Sequence, residues 1–182
     1  MNKRVGFIGL GNMGTPMTQR LIEAGYEVWG YDVRPELVEA LRETGGRGAV
    51  SIGEVAEKTP VILLCLPDSN AVEKVIEGEG GLLETGKAGL LIFDISSSYP
   101  PSTVRLGTLL KAKGIDFLDA PVSGGVRGAV AGKLTVMVGG DEHLSEKWEE
   151  LLRVFGTNIF HIGTLGMGHT LKALNNLLSA SS

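Results

Sequence analysis

Val5-Gly6-Phe7-Ile8-Gly9-Leu10-Gly11-Asn12-Met13-Gly14 is the stretch that decides the fold. Val5 to Leu10 reads as a short apolar strand, and the residues after it carry Met17, Leu21 and Ile22 at helical spacing until Gly25. Between strand and helix, Gly9, Gly11 and Gly14 form a GxGxxG turn. With 27 glycines in 182 residues the pattern alone is weak. Its setting is specific, because it follows a strand, opens a helix, and is followed by a second strand, Glu27 to Asp32, that closes on an acid. Gly9 permits a tight turn, Gly11 lets the backbone approach a pyrophosphate, and Gly14 lets the helix lie close to the strand. The helix N-terminus adds N–H groups and partial positive charge. A dinucleotide is the ligand such a turn accepts, with Leu10, Asn12 and Met13 as its intervening residues. Asp32 is placed to accept hydrogen bonds from the adenosine ribose and to repel a 2′-phosphate. NAD is therefore the expected cofactor, and Arg34, two residues on, leaves NADP open as the alternative.

Outward from this turn, strand-like and helix-like segments alternate. A helix opens at Pro35, where the missing N–H does no harm. Ser51-Ile52-Gly53-Glu54 has capping-box spacing. Pro60 to Leu66 and Leu90 to Ile95 are continuous apolar runs, as in strands covered on both faces. A helix from Pro100 carries Val104, Leu106, Leu109 and Leu110 to Gly114. Phe117-Leu118-Asp119 and Leu134 to Val138 read as strands, Asp141 to Phe155 as one amphipathic helix, and Asn158 to Ile162 as the last strand. The alternation predicts an α/β fold built on a doubly wound, mostly parallel sheet. Residues 1–163 form this dinucleotide-binding domain. Gly166 to Leu178 reads as a helix with apolar Leu171, Leu174, Leu177 and Leu178, so 164–182 is expected to be the start of an interdomain helix.

Composition narrows the partners. Net charge is −4, and the lysines and arginines are scattered singly, so no basic stripe addresses a nucleic acid or an anionic membrane. Aromatic residues make up 5%, too few for a base-stacking platform. No apolar run reaches membrane-spanning length and the N-terminus lacks a signal-peptide pattern, so a soluble, cytoplasmic protein is expected. The single cysteine, Cys65, lies in an apolar run and reads as a small core residue in a reducing compartment. His143 and His161 have no ligand-spaced neighbours, and no metal site is expected.

Ligands of open α/β sheets bind beyond the carboxyl ends of the strands. Leu66-Pro67-Asp68-Ser69-Asn70 and Ser96-Ser97-Ser98 occupy such positions, where their polar residues serve either a cofactor or a helix cap. Asp119-Ala120-Pro121-Val122-Ser123-Gly124-Gly125 passes from a strand into a Ser-Gly-Gly loop. Its N–H groups and the Ser123 hydroxyl suit a carboxylate, although a plain turn of small residues has the same composition. In the last helix Lys172 and Asn176, four apart, share a face. That face either holds a substrate oxygen or looks into solvent. His169, three before Lys172, is left unassigned.

Gly6 to Gly14, Asp119 to Gly125, and the Gly-x-Gly-x-x-x-Lys-x-x-Asn-Asn run from Gly166 together resemble the three signatures of the β-hydroxyacid dehydrogenases, the family of 3-hydroxyisobutyrate dehydrogenase and of semialdehyde and glyoxylate reductases. The resemblance spans Val5 to Asn176. It implies a Rossmann-type domain and hydride transfer between a nicotinamide cofactor and a small 3-hydroxy acid or semialdehyde. Lys172 is implied as the catalytic acid and base, Ser123, Gly124, Gly125 and Asn176 as substrate-binding, and Leu66, Pro67, Asn70 and Ser97 as cofactor contacts. A small carboxylate-bearing substrate and a homo-oligomeric full-length protein are implied partners. Family members continue into an all-helical second domain, which this sequence lacks, so the chain alone is not expected to close its active site. The contrasting reading is a dinucleotide-binding module without turnover, a sensor or scaffold.

Overall fold

Nine strands and ten helices follow from the local patterns in the computed structural model, which describes residues 3–180. In chain order these are β1 (Arg4–Ile8), α1 (Gly14–Glu23), β2 (Glu27–Tyr31), α2 (Pro35–Glu43), β3 (Arg47–Gly48), α3 (Ile52–Lys58), β4 (Val61–Leu64), α4 (Ser69–Glu77), α5 (Leu82–Thr85) and β5 (Leu91–Asp94). Then come α6 (Pro100–Ala112), β6 (Asp116–Asp119), β7 (Val122–Ser123), α7 (Gly125–Ala131), β8 (Leu134–Gly139), α8 (Glu142–Lys147), α9 (Glu149–Arg153), β9 (Gly156–Gly163) and α10 (Met167–Ala180). Several starts have a plain chemical cause. The Ser51 hydroxyl accepts from Glu54 N at 3.1 Å, and Asp68 Oδ1 accepts from Ala71 N at 2.9 Å. Each satisfies an N–H that the first helical turn leaves without a partner.

The sheet runs β3-β2-β1-β4-β5-β6, all parallel. The chain builds outward from β1 in one direction, returns to β4, and builds outward in the other, so the switch point lies between β1 and β4. β6 and β7 then pair in turn with one edge of β8, antiparallel, and β9 pairs parallel with the other edge. Side-chain alternation divides the interior in two. Phe7, Leu63, Phe93 and Leu118 stand side by side across four strands and join Met17, Leu21, Val38, Leu41, Leu151 and Leu152 in one core. Ile8, Ile62, Leu64 and Ile92 face the other way, into Val55, Val72, Ile76, Leu106 and Leu110. Helices therefore cover both faces, as the continuous apolar runs require.

Two local expectations change. The segment Asp141 to Phe155 is not one helix but two, because at Trp148 the backbone leaves helical values (φ −108°, ψ 11°). Its indole packs against the first core, and the break lets Leu151, Leu152 and Phe155 turn inward as well. Ser123-Gly124-Gly125 is not a loop between strands. Val122–Ser123 pairs with β8, and Gly125 opens α7, whose Ala129 is buried. Three glycines in this segment mask the helical spacing.

Candidate functional site

The site lies at the carboxyl ends of the parallel strands. Past β1, Gly9 turns at φ +100°, where a side chain is strained, and its N–H donates to the Tyr31 carbonyl at 2.9 Å. A Cβ there would overlap the Cys65 carbonyl, and one at Gly14 would overlap the Gly9 carbonyl. Both positions demand glycine because backbone meets backbone. α1 starts with neither a side-chain cap nor an acidic residue in its first turn. Above Gly11, the nearest group is Arg34 Nη2, 3.3 Å from where a Cβ would sit. An open backbone turn and an uncapped helix start with no acidic residue in its first turn fit the pyrophosphate of a dinucleotide.

Asp32, buried just past β2, ties the turn to its neighbour. Its Oδ2 accepts from Leu10 N at 2.8 Å, and its Oδ1 accepts from Arg34 N at 3.0 Å and Nε at 3.1 Å. Burial raises the carboxyl, but the hydrogen bonds from Arg34 and from Leu10 N–H outweigh it and hold Asp32 below the usual carboxylate range. Leu10 itself is a core residue, so it serves the site through this N–H. Asn12 is exposed and Met13 partly so. Leu66 flanks Gly9, and its N–H donates to Ser96 Oγ at 2.9 Å. Pro67, Asn70 and Ser97 are exposed along the same rim. Asp68 is a helix cap, and Ser98 donates to Asp94 Oδ2 at 2.7 Å, so these two polar residues have structural partners. Burial, with help from the Asp94 carboxylate, pushes the Cys65 thiol up to about 12, which leaves it no thiolate character.

The second half of the site forms where α10 meets β6 and β7. Asp119 Oδ1 accepts from Gly166 N and Oδ2 from His169 N, each at 2.7 Å, so a strand-end carboxylate caps the helix. Gly168 lies so close to the Met137 carbonyl that any side chain would overlap it. One turn on, Lys172 is partly buried, has no ion-pair partner among the described residues, and is lowered from the ordinary lysine value by desolvation. Asn175 Nδ2 donates to Ser123 Oγ at 3.5 Å. Asn175, three residues on from Lys172 along α10, thus reaches Ser123, while Asn176 is exposed. The sequence pattern pointed to Asn176 alone; the i,i+3 spacing of Asn175 from Lys172 was the one signal for the inner asparagine. Gly124 and Gly125, both at positive φ, are exposed beside Ser123. His169 is buried, which nothing in its sequence surroundings indicated.

A doubly wound sheet with a glycine turn at its switch point, and an acid at the end of the next strand, defines a dinucleotide-binding domain. The chain belongs to the family of the NAD binding domain of 6-phosphogluconate dehydrogenase, which matches residues 4–163. It is 43% identical over 175 residues to 2-(hydroxymethyl)glutarate dehydrogenase of Eubacterium barkeri, covering 96% of this chain and 58% of that one. It is 45% identical over 179 residues to the mitochondrial 3-hydroxyisobutyrate dehydrogenase of Mus musculus, covering 98% and 53%. A solved structure of Mycobacterium tuberculosis 3-hydroxyisobutyrate dehydrogenase with L-serine superposes with a TM-score of 0.93 at 33% identity, covering 99% of this chain and 61% of that one. The chain spans a little over half the length of these relatives. Among the described residues, no helix is long and apolar enough to cross a membrane.

Proposed function

We propose that this chain is the cofactor-binding part of an NAD(H)-dependent 3-hydroxyacid dehydrogenase or semialdehyde reductase. The observation that carries the reading is the corner where α10 meets β7: a desolvated Lys172 without an anionic partner among the described residues, beside Ser123 held by Asn175. Gly9 to Gly14 hold the pyrophosphate, Asp32 the adenosine ribose, and Leu66, Pro67, Asn70 and Ser97 the rim toward the nicotinamide. When bound, the cofactor supplies or takes up hydride. Ser123 Oγ, with the N–H groups of Gly124 and Gly125, holds the substrate carboxylate, and Asn176 orients the substrate from the open side. Lys172 donates a proton to the carbonyl oxygen during reduction and removes the hydroxyl proton during oxidation. Desolvation lowers its pKa from the ordinary lysine value, which makes the ammonium a better proton donor and raises the share of free amine that can take the proton back.

The relatives named above are dehydrogenases of carboxylate-bearing hydroxy acids, which supports this substrate class. The family match ends at 163, which supports reading α10 as the element that leads away from the domain toward a second one. A cytoplasmic setting and a homo-oligomeric full-length enzyme go with this reading. The test follows NADH oxidation with succinic semialdehyde, glyoxylate, methylmalonate semialdehyde and tartronate semialdehyde, and NAD reduction with 3-hydroxyisobutyrate, in a form carrying the helical second domain. Turnover of one of these pairs is expected. NADH binding without any turnover would overturn the enzyme in favour of a non-catalytic binding module.

A further inference from the structure

Beneath Lys172 lies a buried polar cluster that the proposed chemistry does not use. Asp94, Asp119 and His169 all have fully buried side chains. Taking such groups out of water is costly unless each polar atom finds a partner. Here every one does. Asp94 accepts from Ser96 N at 3.0 Å and Ser98 Oγ at 2.7 Å, and Asp119 from the two α10 N–H groups already described. His169 Nε2 donates to the Ser96 carbonyl at 3.0 Å, which fixes the proton on that nitrogen, since a carbonyl can only accept. Nδ1 lies 2.8 Å from Thr103 Oγ1 of α6. The two carboxylates flank the ring, Asp94 Oδ2 at 3.7 Å from Nε2 and Asp119 Oδ2 at 3.7 Å from Nδ1.

These contacts divide the labour. Among the described residues Asp119 bonds only backbone N–H groups, so it sets where α10 begins. The imidazole is held from two sides, by the segment after β5 and by α6, so it sets how α10 is turned about its axis. An α-helix advances 1.5 Å and 100° per residue, so Lys172 neighbours both His169 and Asn175 on the helix surface, its backbone roughly 4.5 Å further along the axis than that of His169. A rotation of α10 that took His169 out of its slot would carry Lys172 into solvent and Asn175 away from Ser123. We propose that His169 is the positioning residue for Lys172, holding the rotation of α10 through its bonds to Ser96 and Thr103. The inference rests on Lys172 being the proton donor of the proposed reaction.

Lys172 reports its own surroundings by titration, so the test needs no turnover. The 182-residue chain is prepared with 13C,15N-labelled lysine, and the Lys172 side-chain signal, assigned with Lys172→Arg, is followed against pH by NMR. His169→Phe keeps the ring volume and removes both ring hydrogen bonds, and the Lys172 titration is expected to move up toward that of the exposed lysines. His169→Gln, whose amide can still donate to the Ser96 carbonyl, is expected to restore most of the native value. Thr103→Val removes one ring partner at nearly constant volume and should give a smaller shift in the same direction. It also reads the effect if His169→Phe does not fold. An unchanged Lys172 titration in the folded Phe variant, or in Thr103→Val should the Phe variant not fold, would overturn the inference, leaving His169 as packing alone. In an active full-length form, His169→Phe should lower kcat by about 10²-fold with the NADH dissociation constant unchanged, the scale of a misplaced catalytic group. A shifted titration with no turnover in the substrate panel overturns the functional reading alone. A static titration in an active enzyme overturns this inference alone.

Discussion

The two ends of the site are built in different ways. The cofactor turn is assembled within one strand–helix unit, and the side-chain bond that ties it to its neighbour, Leu10 N to Asp32, spans 22 residues. The proposed substrate corner is assembled from elements far apart in sequence: Gly166 N to Asp119 spans 47 residues, Asn175 to Ser123 52, and Thr103 to His169 66. The turn is constrained by what must be absent, a Cβ at Gly9 and at Gly14. The corner is constrained by what must be present, a partner for each buried polar atom. A turn of the first kind fails by overlap, and a corner of the second kind by orphaned hydrogen bonds.

The largest expected effect separates the two regions. In an active full-length form, Lys172→Ala should lower kcat by roughly 10²–10⁴-fold, as for loss of a general acid or base, and leave NADH affinity alone. Steady-state rates and fluorescence titration of NADH check this, and a parallel loss of affinity would erase the division. The same lysine sets the pH response. In the proposed reaction, reduction requires its proton, so the reductive rate is expected to fall as pH rises through the depressed Lys172 value, and the oxidative rate to rise over the same interval.

Asp119→Ala tests whether the corner stands on buried partners. It strips two helix N–H groups of their acceptor, and urea denaturation should show a loss of about 2–5 kcal/mol. A loss within error of zero would mean that packing of α10 suffices. Gly14→Ala tests the turn by overlap with the Gly9 carbonyl. A cost of about 1–3 kcal/mol, together with weaker NADH binding, is expected from forced backbone displacement. Native affinity in a folded Gly14→Ala protein would remove the steric argument. Asp32→Ala should have the smallest effect, weakening NADH binding by about tenfold, the scale of one hydrogen bond to a charged group. It also frees Arg34 from its ion pair, so NADPH should gain relative to NADH. Unchanged selectivity would deny Asp32 its ribose role.

Most of the fold and half of the site were readable from the amino-acid order. The strands around β1, β4 and β5 announce themselves as unbroken apolar runs, because a strand covered by helices on both faces has no solvent side to mark. α7 was hidden, since Gly125 and Gly128 weigh against a helix that tertiary packing of Ala129 nonetheless holds. The helix break at Trp148 was hidden too, because an amphipathic spacing continues across it. At the proposed substrate corner, Lys172 and Ser123 carried a pattern, Asn175 carried only its i,i+3 spacing from Lys172, and the burial of His169 left no mark. A histidine on a helix looks the same in sequence whether it meets water or two carboxylates.

By itself the sequence determined the turn at Gly9, the strand that precedes it and the acid that closes the next strand. Backbone sterics and side-chain periodicity act over a few residues, and they leave their mark where they act. Only the tertiary structure decided that Asp119 caps α10, that His169 is locked between Ser96 and Thr103, that Lys172 is drawn partly out of water, and that Asn175 reaches Ser123. Buried polar groups are satisfied by whatever the fold brings within hydrogen-bond reach, and those partners come from strands and helices dozens of residues away.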